Sequence, residues 1–173
     1  MDFKNISLAR KTVYLITAAF ITTFLIRYFL LDSFLVIGNS MAPTLTSGDY
    51  IFVNKMAYAW QKPARFDIVV VNFREMGDKK AIKRVIGLPR EWIFIEGGAI
   101  YVATDRDGEK TEVGKLDSED FTDTVSTNYS YRLDPHEYFL MGDNGLTSTD
   151  SRELGPVDVY KIDGRVIYQM DLR

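Results

Sequence analysis

The chain has few side chains that could serve as a nucleophile and its base. It contains no cysteine, which excludes disulfides and thiolate metal sites. Its one histidine, His136, lies between Pro135 and Glu137, a setting more typical of an exposed loop than of a lone catalytic base. One histidine in this setting argues against a Ser-His triad and cannot supply a multi-histidine metal site. If a serine is the nucleophile, another group must take its proton, and Ser-Lys pairs are a known variant of this chemistry.

Lys83 fits the requirements of such a base better than most lysines of the chain. A lysine amine must lose its proton near neutral pH, and burial lowers its pKa by disfavouring the charged form. Lys83 stands in Ala81-Ile82-Lys83-Arg84-Val85, a predicted strand whose apolar members can exclude water. The alternative is a surface lysine at a strand edge. Several other lysines lie in polar or turn-rich surroundings: Lys55, Lys62, Lys79, Lys80, Lys110, Lys115 and Lys161.

An apolar run of membrane length precedes these residues. Residues 12–31 are apolar except for threonines and Arg27, and about 20 helical residues span a hydrocarbon core of about 30 Å. A cleavable secretory signal and a buried core helix are the alternatives, and the absence of a clear small-x-small site after the run disfavours cleavage. Lys4, Arg10 and Lys11 precede the run, which predicts that residues 1–11 are cytoplasmic and residues 32–173 lie outside.

From Asp32 onward the sequence predicts a mostly β domain. Short runs rich in β-branched and aromatic residues alternate with Gly, Pro and Asp, and no long helical period follows. Glu96-Gly97-Gly98 has the composition of a hairpin turn. The predicted strands cover residues 34–37, 50–53, 67–73, 83–86, 92–95, 99–102, 137–141 and 164–170.

Residues 104–134 form a polar, acidic stretch. Their carboxylates lack the regular ligand spacing and central glycine of a calcium loop, so we predict a solvated excursion from the β domain. The formal net charge is -3, and no basic stripe with interleaved aromatic residues follows the apolar run. Both features argue against a nucleic-acid partner.

Three motifs, in order after one N-terminal span, resemble those of the type I signal peptidases. The first is Ser40-Met41-Ala42-Pro43-Thr44-Leu45, the second covers residues 83–89, and the third is Gly142-Asp143-Asn144 with Ser148 and residues 150–152 after it. The resemblance implies antiparallel β-sheets with one N-terminal transmembrane helix. It also implies an endopeptidase on the outer face of the cell membrane that removes signal peptides from exported preproteins. Preproteins and the lipid bilayer are the expected partners, and we expect a monomer without metal or organic cofactor.

The resemblance also assigns roles to individual residues. It makes Ser40 the nucleophile and Lys83 the general base, with Ser148 orienting the lysine amine. Asp150 and Arg152 align with a supporting ion pair. Asp143 and Arg84 align with structural positions near the site.

Apolar residues near the motifs are candidates for shallow substrate pockets that accept small side chains. Packing in the core is the alternative for each of them. The candidates are Phe34, Val36, Met41, Leu45, Ile51 and Ile82. Trp60 and Tyr58 are candidates for contact with the membrane.

Three positions depart from the family pattern. Gly38 stands where many members have a serine whose hydroxyl helps to bind the oxyanion of the reaction. The oxyanion hole of this chain must therefore use backbone donors such as the Ser40 amide. Gly145 replaces a common arginine, and Arg90 replaces a frequent glycine in a turn.

Two other functions compete with this interpretation. A self-cleaving repressor-type protein shares Ser-Lys chemistry, but the membrane span and the absence of a DNA-binding segment argue against it. A non-catalytic, signal-peptidase-like assembly factor for surface fibres is expected to have lost the serine or the lysine, and Ser40 and Lys83 are both present.

Overall fold

The computed structural model describes residues 3–73, 79–115 and 129–170. Its first element is a long helix, α1 (Phe3–Phe29), within which Leu8–Ile26 is long and apolar enough to cross a membrane. None of this span is buried against the rest of the protein, so it is not a core helix. The helix begins before the predicted start of the span at residue 12. Leu31, the last residue of the predicted span, instead begins the first strand.

Strands make up most of the remaining chain. They are β1 (Leu31–Leu35), β2 (Tyr50–Asn54), β3 (Ile68–Phe73), β4 (Lys79–Gly87), β5 (Trp92–Glu96), β6 (Ala99–Ala103), β7 (Thr111–Lys115), β8 (Tyr129–Arg132), β9 (Glu137–Met141), β10 (Val157–Asp158) and β11 (Ile162–Met170). A short helix, α2 (Ser151–Leu154), and two 3-10 turns, Gly145–Thr147 and Val159–Lys161, lie between the last strands.

The strands form two antiparallel sheets, which confirms the predicted fold class. The larger sheet has seven strands in the order β1-β2-β11-β3-β4-β9-β10, and the smaller has the order β7-β6-β5-β8. Because β1 and β4 are separated by four successive antiparallel pairings, these two strands run in the same direction.

Apolar side chains from both sheets form the core. In β2, burial alternates so that Ile51 and Val53 face inward, as expected for a strand with one covered face. The smaller sheet packs on the larger through one buried cluster: Ile86, Ile93, Ile95, Ile100, Val102, Leu133, Phe139 and Met141. A second cluster lies near β1, beneath the segment that carries Ser40: Val36, Met41, Leu45, Ile51, Val53 and Val70.

The acidic stretch is more ordered than its composition predicts. It contributes β7 and β8, which pair with β6 and β5 at the two edges of the smaller sheet. Val113, Tyr129 and Tyr131 pack against the core, and these few apolar residues are enough to hold two edge strands. Residues 116–128 of the stretch lie outside the described residues. The turn predicted at Glu96-Gly97-Gly98 does join β5 to β6, with Gly97 and Gly98 at positive φ.

Candidate active site

Lys83 lies where β4 changes from two pairing partners to one. Arg84, Val85 and Gly87 pair with β9, whereas the described pairings join residues 79–83 to β3 alone. This leaves the first half of β4 with an open edge, which borders a cleft. The Lys83 side chain is directed into the protein from this edge and is 3% exposed.

A chain of buried hydrogen bonds holds the Lys83 amine. Its Nζ donates to Ser148 Oγ at 2.8 Å, and Ser148 Oγ donates to Asp150 Oδ2 at 2.7 Å. Asp150 is 0% exposed and also accepts from the Gly142 amide at 2.9 Å and from Arg152 Nε at 2.9 Å. Because a carboxylate can only accept, the Ser148 proton is committed to Asp150, and Ser148 can only accept from the lysine.

The electrostatics of this group make the Lys83 amine easier to deprotonate than a lysine in water. Burial lowers the pKa of Lys83 below its usual value, since desolvation disfavours the ammonium form. The Asp150 carboxylate opposes this shift and raises the pKa, the Arg152 guanidinium lowers it further, and the Glu153 carboxylate raises it. Desolvation is the largest of these effects, so the net direction is downward.

Ser40 follows β1 in an irregular segment that is fixed by the third motif. The Asn144 amide donates to the Ser40 carbonyl oxygen at 3.0 Å. Gly142 packs so closely that an added methyl group would overlap both this carbonyl oxygen and the Ser148 hydroxyl. The turn after β9 is therefore in contact with the predicted nucleophile and with the residue that holds the predicted base.

Arg84 connects all three motifs. It forms a two-point ion pair with Asp143, from Nε to Oδ1 at 2.7 Å and from Nη2 to Oδ2 at 2.6 Å. It also donates to the Phe66 carbonyl at 3.1 Å and to Thr44 Oγ1 at 3.4 Å. Asp143 raises the pKa of Arg84. Asp143 and Arg84 thus lie beside the site, at positions where they can fix β4 relative to the serine segment.

Ser40 and Lys83 line the same cleft, whose volume is about 390 Å³. Among the hydrogen bonds of the described residues, none joins Lys83 Nζ to Ser40 Oγ, and Ser148 holds the amine instead. Four of the predicted pocket residues also line this cleft: Phe34, Val36, Met41 and Ile82.

Leu45 and Ile51 were predicted as pocket residues, but the structure places them elsewhere. They are 1% and 0% exposed and belong to the core cluster beneath the serine segment. Tyr58, predicted to contact the membrane, packs against another part of the core and donates to Asp67 at 2.9 Å.

The family departures have local consequences. Gly38 has φ +95, a conformation that L side chains rarely adopt, so this backbone favours glycine over serine. Arg90 has φ +71, so its turn keeps the conformation that glycine would favour. The Gly145 carbonyl accepts from Arg152 Nη2 at 3.0 Å.

Sequence reasoning gave no role to two groups that complete the site. Gly142 allows the close approach described above, and a glycine within a motif is a signal for such an approach. Ser151 Oγ accepts from the Leu140 amide at 2.9 Å and so fixes the start of α2 against β9. Among the described residues, no three His, Asp or Glu side chains are grouped to hold a metal ion.

Comparison with known proteins extends over most of the chain. The sequence profile described as "Signal peptidase, peptidase S26" matches residues 9–170. "Signal peptidase I" of Bacillus caldolyticus is 36% identical over 152 residues, which cover 83% of this chain and 81% of that protein. "Signal peptidase I P" of Bacillus subtilis subsp. natto is 33% identical over 164 residues, covering 90% of this chain and 87% of that protein. A crystal structure of a signal peptidase I from Enterococcus faecalis V583 covers 62% of this chain and 98% of its own, with 23% identity and a TM-score of 0.47.

Proposed function

This chain belongs to the signal peptidase family, peptidase S26, and on that premise we propose that it is a membrane-bound serine endopeptidase. It cleaves N-terminal signal peptides from exported preproteins, with Ser40 as nucleophile and Lys83 as general base. One observation carries the proposal. A buried lysine with a lowered pKa lines the same cleft as the serine of the first motif.

Neutral Lys83 starts the reaction by taking the Ser40 proton as Ser40 Oγ attacks the scissile carbonyl carbon. The Ser148–Asp150 hydrogen bond supports this step. Because Ser148 accepts from the amine, the nitrogen lone pair of Lys83 stays available to the Ser40 proton. The resulting ammonium gives its proton to the leaving amine as the peptide bond breaks. A water activated by the same amine then hydrolyses the acyl-enzyme.

Backbone groups stabilise the developing oxyanion in this mechanism. Gly38 has no hydroxyl, and the Ser40 amide is the donor that we assign to the hole. Removing one such donor from a serine protease typically costs about 10²–10³ in rate when nothing replaces it. The contact of Asn144 with the Ser40 carbonyl supports the assignment, because it fixes the backbone of the serine segment.

The proposed topology places residues 1–11 in the cytoplasm, the apolar part of α1 across the membrane and residues 32–173 on the outer face. The end of α1 is attached to the β domain, since the Lys55 amide donates to the Leu30 carbonyl at 3.0 Å and Lys55 Nζ donates to the Tyr28 carbonyl at 3.2 Å. Residues 32–39 can reach at most about 28 Å when extended. A monomer in the bilayer would therefore hold its cleft close to the membrane, where a signal peptide emerges.

The test is cleavage of a preprotein in detergent by the wild type, Ser40→Ala and Lys83→Ala. We expect each variant to lose at least about 10²-fold in rate, since general base catalysis alone contributes about 10²–10⁴. Lys62→Ala is the matched control, because Lys62 is exposed and does not line the cleft. Thermal unfolding of all four proteins shows whether the fold is retained.

Unchanged cleavage by Ser40→Ala or Lys83→Ala would contradict the assigned dyad. A wild type that cleaves no preprotein would contradict the peptidase function and favour the non-catalytic assembly factor instead.

A further inference from the structure

The ionisable side chains that the described residues contribute to the lining of the proposed substrate cleft are all basic, although the whole chain carries a formal charge of -3. The charged side chains that line it are Lys79, Lys80 and Lys83, and no Asp or Glu is among its lining residues in the described part of the chain. Lys83 is buried and held by Ser148. The other two lysines lie at the opposite end of the same stretch of β4.

Lys80 and Lys79 differ in their surroundings. Lys80 Nζ lies 2.9 Å from Asp163 Oδ2 and 5.0 Å from the centre of the Phe34 ring, so its charge is already engaged. Lys79 is exposed, and the ion pairs of the described residues do not include it. Alternate residues of a strand share a face, which places Lys79 on the same face of β4 as Lys83.

Two contacts orient the cleft. At one end, Lys80 of β4 lies over Phe34 of β1. At the other end, the third motif contacts both Ser40 and Lys83, through the Asn144 amide and through Ser148. The strands that border the cleft are therefore parallel in space as well as in topology. Since β1 begins directly after α1, the Phe34–Lys80 end is the end nearer to the membrane along the chain.

A signal peptide emerging from the membrane would enter the cleft at this end and extend toward Ser40. The part of the substrate that precedes the cleaved bond then lies along the open edge of β4. Lys79 is four residues from Lys83, or about 14 Å at the usual rise of a strand. A substrate residue beside Lys79 is accordingly about four residues before the bond that is cut.

We propose that Lys79 is a specificity-determining residue that favours an acidic side chain four or five residues before the cleaved bond and disfavours a basic one. The inference rests on the proposed peptidase function and names a substrate feature of the same site. Because Lys79 is solvent-exposed, the ion pair it can form is weak. We expect about a two- to five-fold effect on kcat/KM at low ionic strength, which becomes smaller as salt is added.

The test uses peptides that differ only in having Glu, Gln or Lys at the fourth or the fifth position before the cleaved bond. Each is assayed with the full-length wild type, Lys79→Glu and Lys62→Glu in detergent. In the wild type and in Lys62→Glu we expect kcat/KM to fall in the order Glu, Gln, Lys. In Lys79→Glu we expect the order to reverse. The same substitutions four residues after the cleaved bond should not depend on residue 79.

The outcomes separate this inference from the function on which it rests. Equal cleavage of the Glu and Lys peptides by the wild type, or an order unchanged in Lys79→Glu, overturns the role of Lys79 and leaves the peptidase function standing. Dependence on residue 79 only for positions after the bond overturns the proposed direction of the substrate. A wild type that cleaves none of the peptides overturns the peptidase function and this inference with it.

Discussion

A single buried amine, Lys83, determines whether the proposed chemistry can operate at neutral pH. Placing an ammonium group in a dry site is costly, and a lysine there is more easily deprotonated than one in water. Asp150 limits this effect, because its carboxylate raises the pKa of Lys83 while burial lowers it. The same carboxylate orients Ser148. Asp150 therefore combines a geometric role that supports the base with an electrostatic one that opposes it.

The first prediction concerns pH. Below its pKa Lys83 is protonated and cannot accept the Ser40 proton, so kcat/KM should rise with pH through the lowered pKa of Lys83 and then level off. Asp150→Asn removes the largest effect that raises this pKa, and Glu153→Gln removes a smaller one in the same direction. Both variants should therefore shift the rise in activity to lower pH, Asp150→Asn by more.

The measurement is a pH–rate profile of peptide cleavage for the three proteins. Asp150→Asn removes one partner of a buried ion pair, so we also expect it to lose about 3–5 kcal/mol of stability. Its rates must be expressed per folded molecule. Glu153 is exposed, so Glu153→Gln should fold normally. The shift in its pH profile can therefore be measured even if Asp150→Asn does not fold. A wild-type profile that shows no such rise anywhere in the pH range in which the protein stays folded would count against Lys83 as the base.

At the level of elements, the site depends on how closely the turn after β9 approaches its neighbours. Gly142 contacts the Ser40 carbonyl and the Ser148 hydroxyl, and its amide donates to Asp150. Any side chain at this position must displace the serine segment or the group that holds Lys83.

Gly142→Ala should therefore lower the rate of cleavage by more than its loss of stability alone explains. Overpacking a tight site costs about 1–3 kcal/mol, and a displacement of about 1 Å can cost about 10² in rate. Gly87→Ala is the matched control. It introduces a similar overlap with Ile93, Leu133 and Phe139, in the core between the sheets.

Both variants are compared by chemical denaturation and by cleavage rate per folded molecule. We expect similar losses of stability but a much larger loss of rate in Gly142→Ala. Equal rates in the two variants would show that the contact at Gly142 does not position the site.

At the level of the whole molecule, the attachment of α1 to the β domain predicts a second membrane contact. Ile26, in the last turn of α1, and Leu30, directly after the helix, line a surface groove together with Met56 and Trp60. Trp60 is 85% exposed. Large aromatic side chains beside the end of a membrane-spanning helix favour the membrane interface, so we expect Trp60 to lie among the lipid headgroups.

The chain suits a fluorescence test, because it has two tryptophans, Trp60 and Trp92. In proteoliposomes, Trp92→Phe leaves Trp60 as the reporter, and brominated lipids should quench its emission strongly. Trp60→Phe leaves Trp92 on the smaller sheet and should be quenched much less. If Trp60 is quenched no more than Trp92, the proposed membrane contact is wrong.

Local patterns in the sequence determined the general form of this protein. The length and apolarity of the first segment predicted a helix, and short β-branched runs predicted a mostly β domain, because both signals depend on residues that are close in the chain. The three motifs predicted the family, which the comparisons confirm. The catalytic roles of Ser40 and Lys83 stay predictions.

Only the tertiary structure decided which residues share the cleft. Val36, Met41, Leu45 and Ile51 all belong to one buried cluster, but only Val36 and Met41 of these also line the cleft, together with Phe34 and Ile82. Burial of an apolar side chain depends on which other strands cover it, and the sequence near that side chain does not specify this. Edge strands β7 and β8 were missed for the same reason, since a few distant contacts stabilise them. The hydrogen bond from Lys83 to Ser148 joins residues 65 apart in the chain, and its geometry exists only after β4 and the turn after β9 have packed together.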